Sequence, residues 1–395
     1  MKEGYRFLGE YIRQVDIRNK EGKKENLLGV SVQKQFIQSI ANTVGTDFTK
    51  YKVVKKGQFT YIPDTSRRGD KIAIALLEDY EEGLVSNVYT VFEVIDTEKL
   101  LPEYLMLWFS RPEFDRYARF KSHGSVREVM DWEEMCKVEL PVPDIEKQRK
   151  IVKDYKTITD RIALKQKIND NLVACIDTIF NEQFGNFKAL AESSTANTDF
   201  SSLPDGWTIE NAVHSFDISI GKTPPRSEPE WFTSNQMDNV WISIADMKTN
   251  SPFIFKSAEY LTNEAVKKHN VKIVPANSVL LSFKMTVGRV AIVTNEVTTN
   301  EAIAHFPCTK ENLFFVYCYL KNFNYGYLGS TSSITTAINS KIIKEMPFLM
   351  PSKKELDLFN RKVSGLFEHL KYISKELDIL EELSKMLLPQ LLGHC

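Results

Sequence analysis

No apolar stretch in these 395 residues approaches the roughly 18 consecutive positions that a membrane-spanning helix needs. The opening MKEGYRFLGEYIRQ also lacks the long apolar centre of a secretory signal. A cytoplasmic protein with no membrane partner is the expectation. Cysteine is sparse: Cys136, Cys175, Cys308, Cys318 and Cys395 form no Cys-x-x-Cys pair and are odd in number, which favours reduced thiols over a disulfide framework. The histidines (His123, His214, His269, His305, His369 and His394) show no zinc-ligand spacing and read as surface or core side chains.

Catalytic signatures are missing as well. GKT at 221–223 looks like the end of a phosphate-binding loop, but the earlier glycine that such a loop requires is replaced by Phe216. The TPPR that follows is not the Asn-Pro-Pro-aromatic signature of an amino-methyltransferase, and no glycine-rich site for a methyl donor accompanies it. Pro63–Asp64 and Pro143–Asp144 open like a nuclease site, yet neither leads to a strand-borne Glu-x-Lys. No Gly-x-Ser-x-Gly elbow occurs. The chain reads as non-catalytic, with no metal site of its own.

Net charge is another absence, at −1. Locally the balance differs. Residues 49–71 carry Lys50, Lys52, Lys55, Lys56, Arg67, Arg68 and Lys71 against Asp64 and Asp70, and residues 111–127 add Arg111, Arg116, Arg119, Lys121 and Arg127 against Glu113 and Asp115. Such runs are ordinarily solvated faces, so composition alone leaves the function open.

What the sequence does contain is a repeat. Laying Pro143 over Pro351 brings Gly185 onto Gly393 without a gap. Between these points apolar positions keep step: Ile151, Tyr155, Ile158, Ile162, Leu172, Ile179 and Phe184 fall on Phe359, Val363, Leu366, Leu370, Leu380, Leu387 and Leu392. Spacings of three, four and seven mark one stripe of a long helix. Each helix would run about 40 residues, roughly 60 Å, and a single apolar stripe of that length needs a partner, most simply the other copy. Asp144 and Ser352 are the N-cap candidates, and only the second, with Glu355, fits a capping box.

The match extends upstream. GSVREVMDWEEMCKVELPVP (124–143) lies over SSITTAINSKIIKEMPFLMP (332–351): a small polar turn, a short helix, then an apolar strand ending in proline. Farther back, VVKKGQFTYIP…RRGDKIAIAL parallels IVPANSVLLSF…TVGRVAIVT as two strands around a gap, and a strand followed by an aromatic-rich helix recurs after each. The pattern predicts an α+β protein with a pseudo-two-fold internal repeat: a globule at 1–142, a spacer helix at 143–187, a polar linker at 188–202, a second globule at 203–350 and a second spacer helix at 351–395, the two helices packed as an antiparallel coiled coil.

This plan resembles the specificity subunit of Type I restriction–modification systems, over essentially the whole chain. The marks are GSVREVMDWEEMCKVELPVPDIEKQRKIV, the LPDGW at 203–207, and the recurrence ending in LLPQLLG. The second junction departs from the first, with Thr335 in place of the arginine and no glutamine in FLMPSKKELDLF. The resemblance implies two target-recognition globules, each reading one half of a split site in double-stranded DNA, with the helices acting as a ruler. It implies partners as well: two methyltransferase subunits, which bind S-adenosylmethionine, and translocase–nuclease subunits, which use ATP and Mg. No cofactor is then expected in this chain.

Phosphates call for cations and base edges for bidentate side chains. The candidates in the first half are Lys55, Lys56, Arg67, Arg68, Lys71, Lys121, Ser125 and Arg127, with PDTSRRGD (63–70) as a loop between strands. In the second half they are Lys222, Arg226, Lys284, Arg289, Ser333, Thr335 and Thr336. Tyr61 and Phe283 lie beside these loops, where core packing competes with a base contact. The alternative to a DNA reader is a non-catalytic adaptor, with two protein-binding globules on a coiled-coil stalk.

Overall fold

A computed structural model describes residues 4–39, 45–65, 69, 71–122, 128–193, 201, 203–248, 251–328 and 338–393. The chain divides into two compact units, Met1–Arg161 with Leu380–Cys395, and Ile162–Ile379.

The first unit contains strands β1 (Tyr5–Phe7), β2 (Ile12–Val15), β3 (Ile17–Arg18), β4 (Leu28–Val30), β5 (Phe36–Gln38), β6 (Lys52–Lys55), β7 (Phe59–Ile62), β8 (Ala73–Leu76), β9 (Glu82–Val85) and β10 (Thr90–Val94). Helices α1 (Pro102–Phe109), α2 (Pro112–Lys121) and α3 (Trp132–Cys136) follow, then β11 (Glu139–Pro141) and the start of α4 (Ile145–Glu192). Its main sheet is antiparallel, in the order β2-β10-β7-β8. Every residue of β7 and β8 is buried. Both faces of these strands are therefore covered, which explains the continuous apolar run of β8, while β7 buries Thr60 among its apolar residues. One face meets α1 through Tyr104, Leu105 and Phe109. On the other, Ala73 and Ala75 meet Val30, and Val91 joins Leu28, Val54 and Val85.

The second unit repeats this frame. After α4 come β12 (Thr208–Asn211), α5 (Ala212–Ser215), β13 (Ser219–Ile220), β14 (Phe232–Thr233), β15 (Asn239–Ile242), β16 (Phe253–Ile254), β17 (Glu259–Leu261) and α6 (Asn263–Lys268). Then follow β18 (Ser278–Ser282), β19 (Val290–Val293), β20 (Thr298–Thr299), β21 (Ile303–Pro307), α7 (Leu313–Asn322), α8 (Ser340–Glu345), β22 (Pro347–Met350) and α9 (Lys353–Gly393). Its main sheet runs β13-β21-β18-β19-β16, so the first four strands reproduce the first unit's order and β16 adds a parallel edge. β1–β11 and β12–β22 are equivalent antiparallel pairs. Even a tether recurs: the Tyr104 hydroxyl of α1 donates to the Pro141 carbonyl, and the Tyr319 hydroxyl of α7 donates to the Pro347 carbonyl, both at 3.0 Å. Burial pushes the Tyr319 phenol above its ordinary range, so that tether stays a neutral donor.

Both junctions place the expected N-cap residue, while the Glu355 carboxylate of the expected capping box accepts from Gln183 at 3.0 Å. Asp144 accepts from the Lys147 amide at 3.0 Å, and the Ser352 hydroxyl faces the Glu355 amide at 3.5 Å. Gln148 is wholly buried at the first junction. Its oxygen accepts from the Leu101 amide, and its nitrogen donates to the Lys99 and Pro143 carbonyls, at 2.8–2.9 Å. Leu356 takes the equivalent place in the second copy and is buried among apolar neighbours.

In each unit the helix segments run antiparallel. In the first, Tyr155 meets Ser384, and Ile151 shares a core with Leu388 and Leu392. In the second, Lys165 pairs with Glu376 at 2.7 Å, while Gln183 bonds Glu355 at 3.0 Å and Phe184 packs edge-on to Phe359. Of the expected stripe, Ile151, Phe359, Val363, Leu370 and Leu380 are buried; Tyr155, Ile158, Ile162, Leu172, Ile179, Leu366 and Leu387 are half-buried. Among the large apolar side chains of α4 in the second unit, Ile176, Phe180 and Phe184 lie deepest, joined on α9 by Phe367. The globule as well as the partner helix covers these faces, so burial does not follow one seam.

α4 also runs farther than expected, to Glu192, so residues 188–192 are helical rather than linker. Their polar groups have partners: Lys188 donates to Glu192 and to the Asn322 carbonyl, Glu192 accepts from the Asn324 amide, and Ala191 is fully buried.

Candidate nucleic-acid interface

In the first unit the segment between β7 and β8 is held against the segment that follows α2. Pro63 accepts from the Met130 amide, the Thr65 amide donates to the Glu128 carbonyl, and the buried Thr65 hydroxyl donates to Ser122 at 2.9 Å. A β-bridge joins Asp64 to Val129. Residues 63–65 therefore lie against Ser122 and residues 128–130. Lys71, just before β8, is exposed, and Lys121, at the end of α2, is half-exposed with its ammonium 3.9 Å from Glu134. Arg67, Arg68, Ser125 and Arg127 lie outside the described residues.

A clamp below this face was not read from the sequence. Lys34, in the β4–β5 turn, reaches Asp115 of α2 at 2.7 Å, and the same carboxylate oxygen accepts from the Ile72 amide at 3.3 Å. Burial lowers the Lys34 ammonium's pKa, with Asp115 opposing. The clamp ties the exit of the loop to α2. No sequence spacing signals it, because three distant segments supply it.

Lys55 and Lys56 sit elsewhere. Lys55 ends β6 and Lys56 lies in the turn entering β7, whose first residue pairs with Leu76, whereas the segment that follows β7 leaves it where Ile62 pairs with Ala73. They are thus at the opposite end of the β7–β8 pair, and Lys56 is matched with Glu81 at 2.8 Å. Tyr61 is fully buried in the core, so packing accounts for it.

The second unit builds a comparable face. Its β18–β19 hairpin, 283–289, corresponds to the 63–71 loop. The Phe283 amide donates to the Ala302 carbonyl and the Lys222 amide to the Thr299 carbonyl, each at 2.9 Å. This brings Lys284 and Lys222, both exposed, to a common edge with Glu301, which hydrogen-bonds Thr223. Burial would raise the Glu301 carboxyl, but the Thr223 hydrogen bond, its own backbone amide and, to a smaller extent, Lys284 and Arg226 bring it below its ordinary value. Gly221 has a packing reason: a Cβ there would lie 2.1 Å from the Asn300 carbonyl oxygen. The GKT triplet is thus a close strand approach, not a phosphate cradle.

The other cations are committed within the fold. Arg226 makes a bidentate pair with Glu259 at 2.7 and 2.8 Å and lies over the Phe232 and Trp241 rings. The paired hydrogen bonds raise the guanidinium's pKa and lower the carboxylate's. Arg289 donates to the Ile244 carbonyl at 2.6 Å. Phe283 is buried core. Ser333, Thr335 and Thr336 lie outside the described residues.

His305, behind this face, is fully buried between the Ser219 hydroxyl at Nδ1 (2.8 Å) and the Thr299 hydroxyl at Nε2 (2.7 Å). Burial lowers its pKa to about 4. Among the described residues no group of His, Cys, Asp and Glu is arranged to hold a metal ion, and no helix is long and apolar enough to cross a membrane.

Two copies of one α+β frame, each offering cations on paired loops and followed by a long helix, define a duplicated recognition protein. The family model described as Type I restriction modification DNA specificity domain matches residues 9–174 and again 215–385, and the chain belongs to that family. It is 24% identical to the Type I restriction enzyme HindI specificity subunit of Haemophilus influenzae, over 87% of each chain. It is 23% identical to the MjaIX specificity subunit of Methanocaldococcus jannaschii, over 75% of this chain and 70% of that one. A crystal structure of a Type I restriction-modification system S subunit from M. genitalium superposes with a TM-score of 0.56 at 13% identity, covering 98% of this chain and 95% of that one, which shows a shared fold. The chain is a specificity subunit, the recognising rather than the catalytic component of such a system.

Proposed function

We propose that each unit reads one half of a bipartite double-stranded DNA site through its paired loops. The observation that carries this reading is that in each unit the segment between two core strands is held against another segment and lies with exposed or half-exposed cations, Lys71 and Lys121 in the first unit, Lys284 and Lys222 in the second, though different segments supply the second member. Cations at loop edges suit phosphate contacts, which set register, while neighbouring loop side chains read base edges.

The paired helices set the distance between the half-sites. At 48 residues, α4 is about 70 Å long, enough to span more than one turn of duplex. They also carry two methyltransferase subunits. In the second unit Leu164, Ile168, Tyr372 and Ile379 are left exposed along the stretch that Lys165 and Glu376 join, a surface suited to an apolar partner. Translocase–nuclease subunits complete the complex. S-adenosylmethionine, ATP and Mg belong to those partners, and the assembly works in the cytoplasm, where its DNA is.

Charge reversal at Arg67 and Arg68 (R67E/R68E) tests the first face. In the assembled complex at moderate salt it should weaken binding to one half-site and spare the other. Unchanged affinity would remove this loop from the interface.

A further inference from the structure

The tip of the second unit's hairpin is unusual in what it leaves in solvent. Met285 is 99% exposed and holds φ at +58°, a backbone region that a long side chain seldom occupies. The tip around it is fixed. The wholly buried Ser282 donates its hydroxyl to the Thr286 carbonyl at 2.6 Å and accepts from the Arg289 amide at 3.0 Å. The Gly288 amide donates to the Ser282 carbonyl at 2.9 Å, and the Thr286 amide to the Lys284 carbonyl at 2.6 Å. Gly288, at φ +89°, stands over the Tyr325 ring, 3.2 Å from where a Cβ would lie, and only glycine meets both demands. Tyr325 is in turn anchored through its hydroxyl to the Leu320 carbonyl.

A rigid frame thus projects an apolar, polarizable side chain with an exposed cation, Lys284, immediately before it. A strained backbone persists where surrounding structure over-determines it, and such places cluster at functional sites. The duplex is the partner that matches this pairing. A cation such as Lys284 suits its phosphates, and apolar side chains from protein arms, methionine among them, can pack against or between its bases.

We propose that Met285 contacts the bases of the half-site read by the second unit and helps to determine its specificity. This rests on the DNA-reading role proposed above. Lys284 positions the hairpin on the backbone, and Met285 then buries its thioether side chain against the base stack, an interaction absent from the free protein.

The test uses the full chain assembled with its methyltransferase subunits, and duplexes carrying the methylated site recovered from the genome. M285A should weaken binding to the complete site by about tenfold, and M285L should restore it to within about threefold. M285G should relieve the backbone strain, and so leave the melting temperature equal or higher, while losing as much affinity as M285A. When the second half-site is scrambled, wild type and M285A should bind alike; when the first is scrambled, the tenfold difference should remain. M285A binding the complete site within twofold of wild type, or a loss that follows the first half-site, would overturn the proposal. If wild type itself shows no preference for the complete site over scrambled DNA, the DNA-reading role fails instead.

Discussion

The two units share a strand order and differ in how they fill it. Val91 precedes Phe92 in β10 and pairs with Val15 of β2; at the matching place His305 precedes Phe306 in β21 and pairs with Ser219 of β13. At the junction, Gln148 in the first unit gives way to Leu356 in the second. Between the core strands the first unit has a loop held by the Lys34–Asp115 clamp, and the second a tight hairpin standing on Tyr325. The comparison teaches that the frame depends on where apolar side chains recur. A polar side chain can replace an apolar one inside the frame where its neighbours supply hydrogen-bond partners, as they do for His305 and Gln148, and the recognition loops are free to diverge.

The largest expected effect concerns the helices that follow both frames. Inserting one heptad between Arg161 and Ile162 and another between Ile379 and Leu380 lengthens each helix by about 10 Å, close to three base pairs. Methylated-site mapping should show a spacer longer by about three base pairs with both half-sequences intact. A change in the half-sequences instead would break the separation of reader from ruler.

Exchanging the junction residues comes next. Q148L strands the Leu101 amide and two carbonyls in a buried site and should cost the first unit about 3 kcal/mol. L356Q buries an amide among apolar neighbours of the second unit and should cost about 2 kcal/mol. Peptide-resolved hydrogen exchange should place each loss in its own unit.

His305 distinguishes the units by pH. Burial keeps it neutral down to about 4, whereas the unfolded side chain titrates near 6.5, so the unfolded chain takes up the proton first. The second unit's stability should be complete above pH 6.5 and decline by roughly 3 kcal/mol as pH falls to about 4. H305V, which copies Val91, should remove that slope. Urea unfolding across this range, followed by peptide-resolved exchange, checks it, and an equal slope in the first unit would contradict the assignment.

The smallest effects separate two cations of the second unit. K284A should lower the salt dependence of DNA binding by about one counterion. R226A removes a half-exposed pair, so it should cost at most about 1 kcal/mol of stability and leave the salt slope unchanged.

Much of the frame was legible in the sequence. Apolar recurrence gave the repeat, both junctions and the paired helices, because burial acts on every residue of those elements. The readings that strayed involved side chains whose fate is decided by distant partners. Lys55 and Lys56 look continuous with Arg67 along the chain, yet β7 carries them to the other end of the strand pair. Arg226 reads as a free cation until Glu259 and two aromatic rings close around it. Residues 188–192 read as linker because the groups that bind Lys188 and Glu192 come from residues 322–324. Met285 carries no periodic signal, and its positive φ is a property of the closed hairpin.

The central claim is that two diverged copies of one frame read two halves of one site at a fixed separation. Mapping methylated adenines genome-wide, with and without this chain, tests it most directly. The account predicts a site that appears only with the chain, made of two non-identical half-sequences around a spacer of constant length. A single contiguous motif, identical halves, or a spacer that varies freely would contradict it.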